Sequence, residues 1–324
     1  MILKRVNLMK QNVLITGIRG FVGTNLKNYL SHHGRYKIIG SSREKMYLDF
    51  LKNDVHAITS YEDIINGDYN INSYVHLSGK VIETDIKGSE EEYLEVNYRQ
   101  TKKLFDRFVE DAEAEKFIFI STIHVLTDDP NEVLDENYTP MPFTPYGKSK
   151  YMAEQYIIKN CPSHKKYYIL RPPMIHGPGN KGNLNLLYGL VKRGIPYPVG
   201  GINNKRSFLS VINLCFIIDE LLKNDVDQGL YHVADDDPTY THDLINLMAD
   251  MTGRKSKIIN IHPLLLKYLA KVGNVLALPI NEHKLKKLTK DFVVSNTKIK
   301  KSIGKPLPVT SKEGIEITIK SFIG

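Results

Sequence analysis

Asn12-Val13-Leu14-Ile15-Thr16-Gly17-Ile18-Arg19-Gly20-Phe21-Val22-Gly23 is the stretch on which the architecture of this chain turns. Its first four residues form a short apolar run of the kind that makes a buried strand. Three glycines then interrupt it, and Thr24 to Leu30 reads as a helix. Glycine has no Cβ, so the backbone between strand and helix can approach a pyrophosphate, which then rests on the helix N-terminus. The spacing is GxxGxxG rather than the GxGxxG of the general dinucleotide fingerprint. A glycine triplet alone is weak evidence; its place between a strand and a helix gives it meaning. Gly17, Arg19, Gly20, Phe21, Val22 and Gly23 are the first candidate cofactor-binding residues.

Outward from this stretch, short apolar strands alternate with helical segments as far as residue 171. Strands are expected at 12–16, 36–41, 73–77, 116–121 and 167–171, and helices near 20–31, 91–110 and 145–160. That alternation predicts an α/β fold with a doubly wound parallel sheet. From Pro172 onward proline and glycine become dense. Leu184 to Arg193 reads as a helix, Ser207 to Val211 as a short extended piece, and Gly229 to Ala234 as a strand returning to the main sheet. The expected division is a dinucleotide-binding domain over 1–171 and a smaller, interleaved lobe over 172–324, with the return strand near 229–234.

Tyr146-Gly147-Lys148-Ser149-Lys150 places a phenol and an ammonium four residues apart, on one face of a helix. A free phenol with a pKa of about 10 is a poor acid or base at neutral pH. A cation beside it stabilises the phenolate, and a shift of roughly three units is worth about 4 kcal/mol. Tyr98…Lys102 and Tyr188…Lys192 share the spacing, so context must choose among the three. Upstream of Tyr146 the strand from Lys116 to Ile120 ends in Ser121-Thr122. Hydroxyls at a strand's carboxyl end sit where open α/β sheets place ligands.

The chain has 324 residues, 42% hydrophobic and 25% charged, ordinary for a globular protein with a full core. No apolar run reaches the roughly 20 residues of a membrane span. Met1 to Lys10 lack the apolar region of a signal peptide. Two cysteines, Cys161 and Cys215, imply no disulfide framework, and a cytoplasmic location is expected. The net charge of +8 comes from dispersed lysines without a nucleic-acid-binding motif, so no nucleic-acid partner is expected. The apolar stretch 261–279 is expected to pack on the smaller lobe or on a partner in a homodimer. No metal site is expected.

The segments TGIRGFVG (16–23), VHLSG (75–79), VNYRQTKKL (96–104), FISTIHVL (119–126), YGKSK (146–150), RPPMIHGPG (171–179) and NKRSFLSVINL (204–214) resemble the extended short-chain dehydrogenase/reductase family. The likeness is to its nucleotide-sugar epimerase, dehydratase and reductase branch, and within it to capsule and O-antigen enzymes acting at C4 of UDP-linked sugars. The resemblance implies a Rossmann-type sheet with a smaller substrate lobe. It implies Tyr146 as acid/base, Lys150 lowering its pKa while binding the nicotinamide ribose, and Thr122 bonded to the reacting C4 oxygen, with Ser121 beside it. In the sugar dehydratases of the family an Asp-Glu pair follows that threonine; here Ile123-His124 stands there, which argues against dehydration.

By the same likeness Asp49 and Phe50 lie at the adenine, His76, Leu77, Ser78 and Gly79 run along the cofactor, and Arg171 and Pro172 complete its site. Asn183, Leu184 and Arg206 match diphosphate contacts, and Tyr197 and Val199 line the uracil pocket. Two departures are Met174, where an asparagine is common, and the absence of a second arginine near residue 290, for which Lys287 or Lys290 are candidates. After the second strand, Ser41-Ser42-Arg43 stands where an NAD-selective site carries a carboxylate. Two hydroxyls and a guanidinium instead favour NADP(H), with NAD(H) as the alternative. The expected activity is therefore reduction of a UDP-4-keto-sugar. The alternatives are a UDP-glucose or UDP-N-acetylglucosamine 4-epimerase that retains NAD, and a non-catalytic NADP sensor on the same fold.

Overall fold

Val13, Leu14 and Ile15 are fully buried because the strand that carries them, β1 (Gln11–Thr16), runs near the middle of a seven-stranded sheet. The computed structural model describes residues 10–42, 55–67, 69–81, 89–197, 203–259, 261 and 289–323. The other strands of the sheet are β2 (Tyr36–Ser41), β3 (Val55–Thr59), β4 (Ser73–His76), β5 (Lys116–Ile120), β6 (Lys166–Arg171) and, far along the chain, β10 (Gly229–His232). Every pairing is parallel, in the order β10-β6-β5-β4-β1-β2-β3. β1 is flanked by β2 on one side and β4 on the other, so the winding reverses there. Such a reversal opens a crevice at the carboxyl ends of the strands. The register brings Thr16 level with Ser41 and His76 at that edge.

Both faces of the sheet are covered, which is why its strands read as apolar runs rather than alternations. On one face, α1 (Phe21–His33) and α7 (Val211–Lys223) bury Leu26, Leu30, Leu214, Ile218 and Leu221 against Val13, Ile15 and Ile118. On the other, α4 (Gln100–Glu110) and α5 (Pro145–Asn160) bury Leu104, Phe105, Phe108 and Ile157 against Leu14, Tyr74 and Phe117. Each such side chain contributes about 1.5–3 kcal/mol of apolar burial. A separate cluster joins α6 (Asn183–Lys192), α8 (Thr241–Met251) and α10 (Ser311–Ile323) through Leu184, Tyr188, Leu244, Met248 and Ile319. Two small sheets border it: β7 (Met174–His176) with β9 (Phe208–Ser210), and β8 (Lys205–Arg206) with β11 (Thr239–Tyr240). The remaining helices are α2 (Tyr61–Asn66), α3 (Glu90–Tyr93) and α9 (Thr297–Ile303).

Several elements differ from the sequence expectation. β3, an edge strand, was not expected. The helix expected over 91–110 is divided: α3 passes into a π-helical turn, Leu94–Arg99, before α4 begins, and the Gln100 N–H reaches back to the carbonyl of Glu95. Among the described residues no helix is long and apolar enough to cross a membrane, and no cluster of three or more metal-ligating side chains exists. Apart from Ile261, the apolar stretch 261–279 lies outside the described residues.

Candidate active site

The glycine loop has the geometry its composition requires. Gly17 adopts φ +67°, a conformation that costs an L side chain energy, and its N–H donates to the Ser41 carbonyl at 3.0 Å. A Cβ on Gly23 would lie 2.3 Å from the Gly17 oxygen and 2.7 Å from the Ile18 Cα. One on Gly17 would meet the Ser78 nitrogen at 3.1 Å. α1 therefore starts tight against the loop, with Gly20 as its N-cap and no side chain capping its first N–H groups. Those groups, with the positive end of the helix dipole, fit the pyrophosphate of a dinucleotide. Arg19 and Gly20 are exposed, and Phe21 and Val22 are partly buried, packed on the core below.

Thr16, beneath the loop, begins a buried chain of hydrogen bonds. Its Oγ1 accepts from the N–H groups of Leu77 and Ser78 at 3.2 and 3.1 Å and lies 2.7 Å from His76 Nδ1. His76 Nε2 lies 2.9 Å from Thr101 Oγ1, whose one proton goes to the Asn97 carbonyl at 2.8 Å. The ring must therefore donate from Nε2 and accept at Nδ1. That neutral tautomer agrees with a pKa pushed down to about 3, by burial first and by the charge of Lys150 second. Asn97, fully buried in the π-helical turn, clamps the Lys80 backbone at 2.7 and 3.0 Å and donates to Ser149 at 3.1 Å. Ser149 in turn donates to the Tyr146 carbonyl at 2.9 Å. His76, expected along the cofactor, is thus a buried strut. Asn97 was quoted in a motif but given no role, because only the π-turn aims it inward.

Tyr146 and Lys150 project from the first two turns of α5. Thr144 caps this helix, accepting from the Gly147 N–H at 3.1 Å, and Pro145 opens it. Thr122, two residues beyond β5, stands near enough to the Tyr146 phenol to act on its acidity. Burial pushes that phenol up to about 12, and the neighbouring Thr122 hydroxyl pulls against it. The ammonium of Lys150 was expected to lower the phenol. In the structure Nζ donates to the Ile120 carbonyl at 3.0 Å and lies 4.7 Å over the Phe119 ring. Burial itself lowers Lys150 to about 8, with Glu154 opposing. The competing pairs are placed elsewhere. Tyr188 is buried in the cluster that joins α6, α8 and α10, and Lys102 bonds to Asp106.

Two expected ligand contacts turn out to be internal supports. The Arg171 guanidinium meets Glu154 at 3.0 and 2.6 Å, with both side chains buried. Ser121 donates to the same carboxylate. Their side chains are therefore committed to one another rather than to a bound molecule. Pro172 is buried and its carbonyl holds the Ile123 N–H at 3.0 Å. Leu184 packs in the cluster that joins α6, α8 and α10, so only its backbone, at the N-terminus of α6 beside exposed Asn183, stays open to a ligand. Sequence could not separate these cases, since a strand-end arginine looks alike whether paired or open.

A cavity of about 360 Å³ has His124, two residues beyond Thr122, in its wall, while Thr122 and Tyr146 themselves are not among its lining residues. Its walls include His124, Asp128, Pro142, Arg206 and Phe292. The Arg206 guanidinium stands 5.6 Å over the Phe292 ring, partly stripped of water, with Tyr197 close enough to interact with its charge. Tyr197 is held by backbone bonds to Lys257 and Ile259 at 2.8 and 2.9 Å. At the opposite, cofactor end of the site, Ser41 is 2% exposed and Ser42 half-buried. Arg43, Asp49, Phe50 and Val199 lie outside the described residues.

Over residues 13–234 the sequence matches the model of the NAD dependent epimerase/dehydratase family. It is 28% identical over 329 residues to a UDP-glucose 4-epimerase of Vibrio cholerae, with 97% of this chain and 96% of that protein covered. The fold is shared with a UDP-glucuronic acid 4-epimerase from Bacillus cereus in complex with NAD, at TM-score 0.73 and 18% identity over 96% of each chain. It is also shared with RMD from Pseudomonas aeruginosa complexed with NADPH, at TM-score 0.70 and 19% identity over 97% of this chain and 99% of that one.

Proposed function

Because this chain belongs to the NAD dependent epimerase/dehydratase family, we propose that it acts at C4 of a UDP-linked sugar and inverts that centre. The observation that carries the reading is the placement of the Thr122 hydroxyl just past the carboxyl end of β5, near enough to the Tyr146 phenol to act on its acidity, with Arg206 and His124 in the wall of one cavity. Inversion rather than net reduction is supported by likeness along the whole chain to a UDP-glucose 4-epimerase. It is supported too by the burial of Ser41, which removes one of the two hydroxyls that favour a 2′-phosphate.

The glycine loop and the uncapped start of α1 hold the pyrophosphate of a nicotinamide dinucleotide. When bound, the nicotinamide supplies the hydride exchange at C4. Tyr146 takes the proton from the sugar O4 and returns it, and Thr122 holds that oxygen. Lys150 binds the nicotinamide ribose and keeps a positive charge behind the phenol. Arg206, in the low-dielectric wall of the cavity, clamps the diphosphate.

A second reading, reduction of a 4-keto-sugar with NADPH, draws on the lack of a carboxylate at 40–43 and on Ser42 and Arg43. Mass spectrometry of nucleotides released from the purified protein, followed by incubation with UDP-glucose and UDP-N-acetylglucosamine, separates the two. Retained NAD and a C4 epimer support inversion. Bound NADP with net consumption of NADPH by a UDP-4-keto-sugar moves the assignment to the reductase. A protein that binds neither dinucleotide sinks both.

A further inference from the structure

The outer face of α6 breaks the pattern of a surface helix, which buries one apolar stripe and shows polar residues on the other side. Leu184, Tyr188 and Val191 are buried in the cluster shared with α8 and α10, yet Leu186 and Leu190, one turn apart, are 58% and 41% exposed. The chain leaves α6 through Gly194, in the left-handed conformation at φ +68°, whose N–H donates to the Val191 carbonyl at 2.9 Å. The segment that follows runs beside the one that follows α8. Tyr197 donates its N–H to the Lys257 carbonyl at 2.8 Å, and Ile259 donates its own to the Tyr197 carbonyl at 2.9 Å. Ile195 and Ile259 add two more apolar side chains, 45% and 47% exposed. Leu190, Ile195, Lys255 and Lys257 line one shallow hollow between the two segments.

Cations surround these four side chains. Over 183–197 and 250–259 the sequence carries Lys192, Arg193, Arg254, Lys255 and Lys257 against a single acid, Asp250. All five cations are exposed, and among the described residues none is paired with a carboxylate. A Cβ on Gly194 would find Lys257 Nζ at 3.7 Å and Arg254 Nη1 at 3.9 Å, so the second segment brings its charge to the end of α6. Lys192 and Arg193 have a local reason to be there, since cations in the last turn offset the helix dipole. Arg254, Lys255 and Lys257 add like charge at the same place, which costs energy until an anion meets it. Apolar side chains that enter the headgroup layer, with lysine and arginine around them to meet anionic lipid, are the two elements of interfacial membrane binding. We propose that this face, centred on Leu190 and Ile195, docks the protein on the surface of an anionic lipid bilayer. A second copy of the chain fits less well, because a two-fold contact would set these cations against themselves. Tyr197 borders the hollow and also acts on the charge of Arg206, so the docked face and the cavity share one side chain. Docking is independent of the C4 chemistry proposed above.

Co-sedimentation of the full chain with phosphatidylcholine vesicles, with and without phosphatidylglycerol, tests this. Wild type should bind the vesicles that contain phosphatidylglycerol, come off as salt is raised, and ignore pure phosphatidylcholine. Lys255→Glu with Lys257→Glu should weaken that binding at least tenfold, since each cation at the surface contributes about a factor of five. Leu190→Ser with Ile195→Ser should weaken it at least tenfold as well, which adsorption through the net charge of +8 would not require. Lys103→Glu with Lys301→Glu, an equal change of charge at exposed positions elsewhere, should bind as wild type does. Every substituted side chain is exposed, so thermal unfolding should show all the variants folded. Wild type that stays in solution with both kinds of vesicle overturns the proposal and leaves the face to an acidic protein. Binding that survives both changes to the face overturns it too, as does an equal loss in the Lys103 and Lys301 variant. An oligomer that Leu190→Ser with Ile195→Ser breaks apart in sedimentation equilibrium would assign the face to a second copy and overturn the bilayer as its occupant.

Discussion

Glu154→Gln tests the framework that holds the site, and it needs no knowledge of the substrate. Glu154 is fully buried and Arg171 is 3% exposed; they meet through two bonds of 3.0 and 2.6 Å, and Ser121 donates a third. Neutralising the carboxylate leaves a guanidinium with an uncompensated charge inside the protein. Breaking a buried pair from one side costs about 3–5 kcal/mol. With a urea m-value of about 3 kcal/mol/M, the unfolding midpoint should fall by about 1–1.7 M. Pairing the change with Arg171→Met removes the stranded charge and should restore most of the loss. A Glu154→Gln variant within about 0.5 kcal/mol of wild type would refute the reasoning, since it would mean that water reaches the pair. A second readout follows from Lys150. Glu154 raises the pKa of that ammonium, which burial has already lowered to about 8, so removing the carboxylate lowers it further. If the charge of Lys150 supports turnover, the alkaline limb of the pH–rate profile should move to lower pH in the variant.

Tyr146→Phe should cut turnover by about two orders of magnitude or more while dinucleotide binding persists, measured by steady-state kinetics beside fluorescence titration. Tyr98→Phe and Tyr188→Phe share the spacing but not the site and should stay near wild type; a Tyr146→Phe enzyme with normal turnover would mean that the phenol is not the acid/base. Gly23→Ala should weaken dinucleotide binding at least tenfold, because its Cβ would stand 2.3 Å from the Gly17 oxygen and force the loop to move. Gly189→Ala, inside α6 with nothing within 4 Å, should instead leave binding alone and stabilise the fold by up to about 1 kcal/mol. Equal dinucleotide affinity in the Gly23 variant and wild type would reject the loop assignment.

The wound parallel sheet was legible from the chain because each of its cues is local. A run such as Val13-Leu14-Ile15 has to be buried on both faces, and Gly17 at φ +67° leaves little choice of residue. A helix puts Tyr146 and Lys150 on one side whatever surrounds them. What each polar group is paired with depends instead on chain segments distant in sequence. Arg171 and Ser121 read as ligand contacts until Glu154, 17 residues before Arg171, is folded against them. Lys150 reads as the partner of Tyr146 until the Ile120 carbonyl comes within 3.0 Å. Asn97 and His76 acquire their places only through a π-helical turn and strand registers that no local pattern encodes. Backbone conformation and side-chain periodicity are properties of a few neighbouring residues, so a sequence states them directly. Hydrogen-bond partners and desolvation are set by the whole packed chain, and they decide which of several similar side chains can do chemistry.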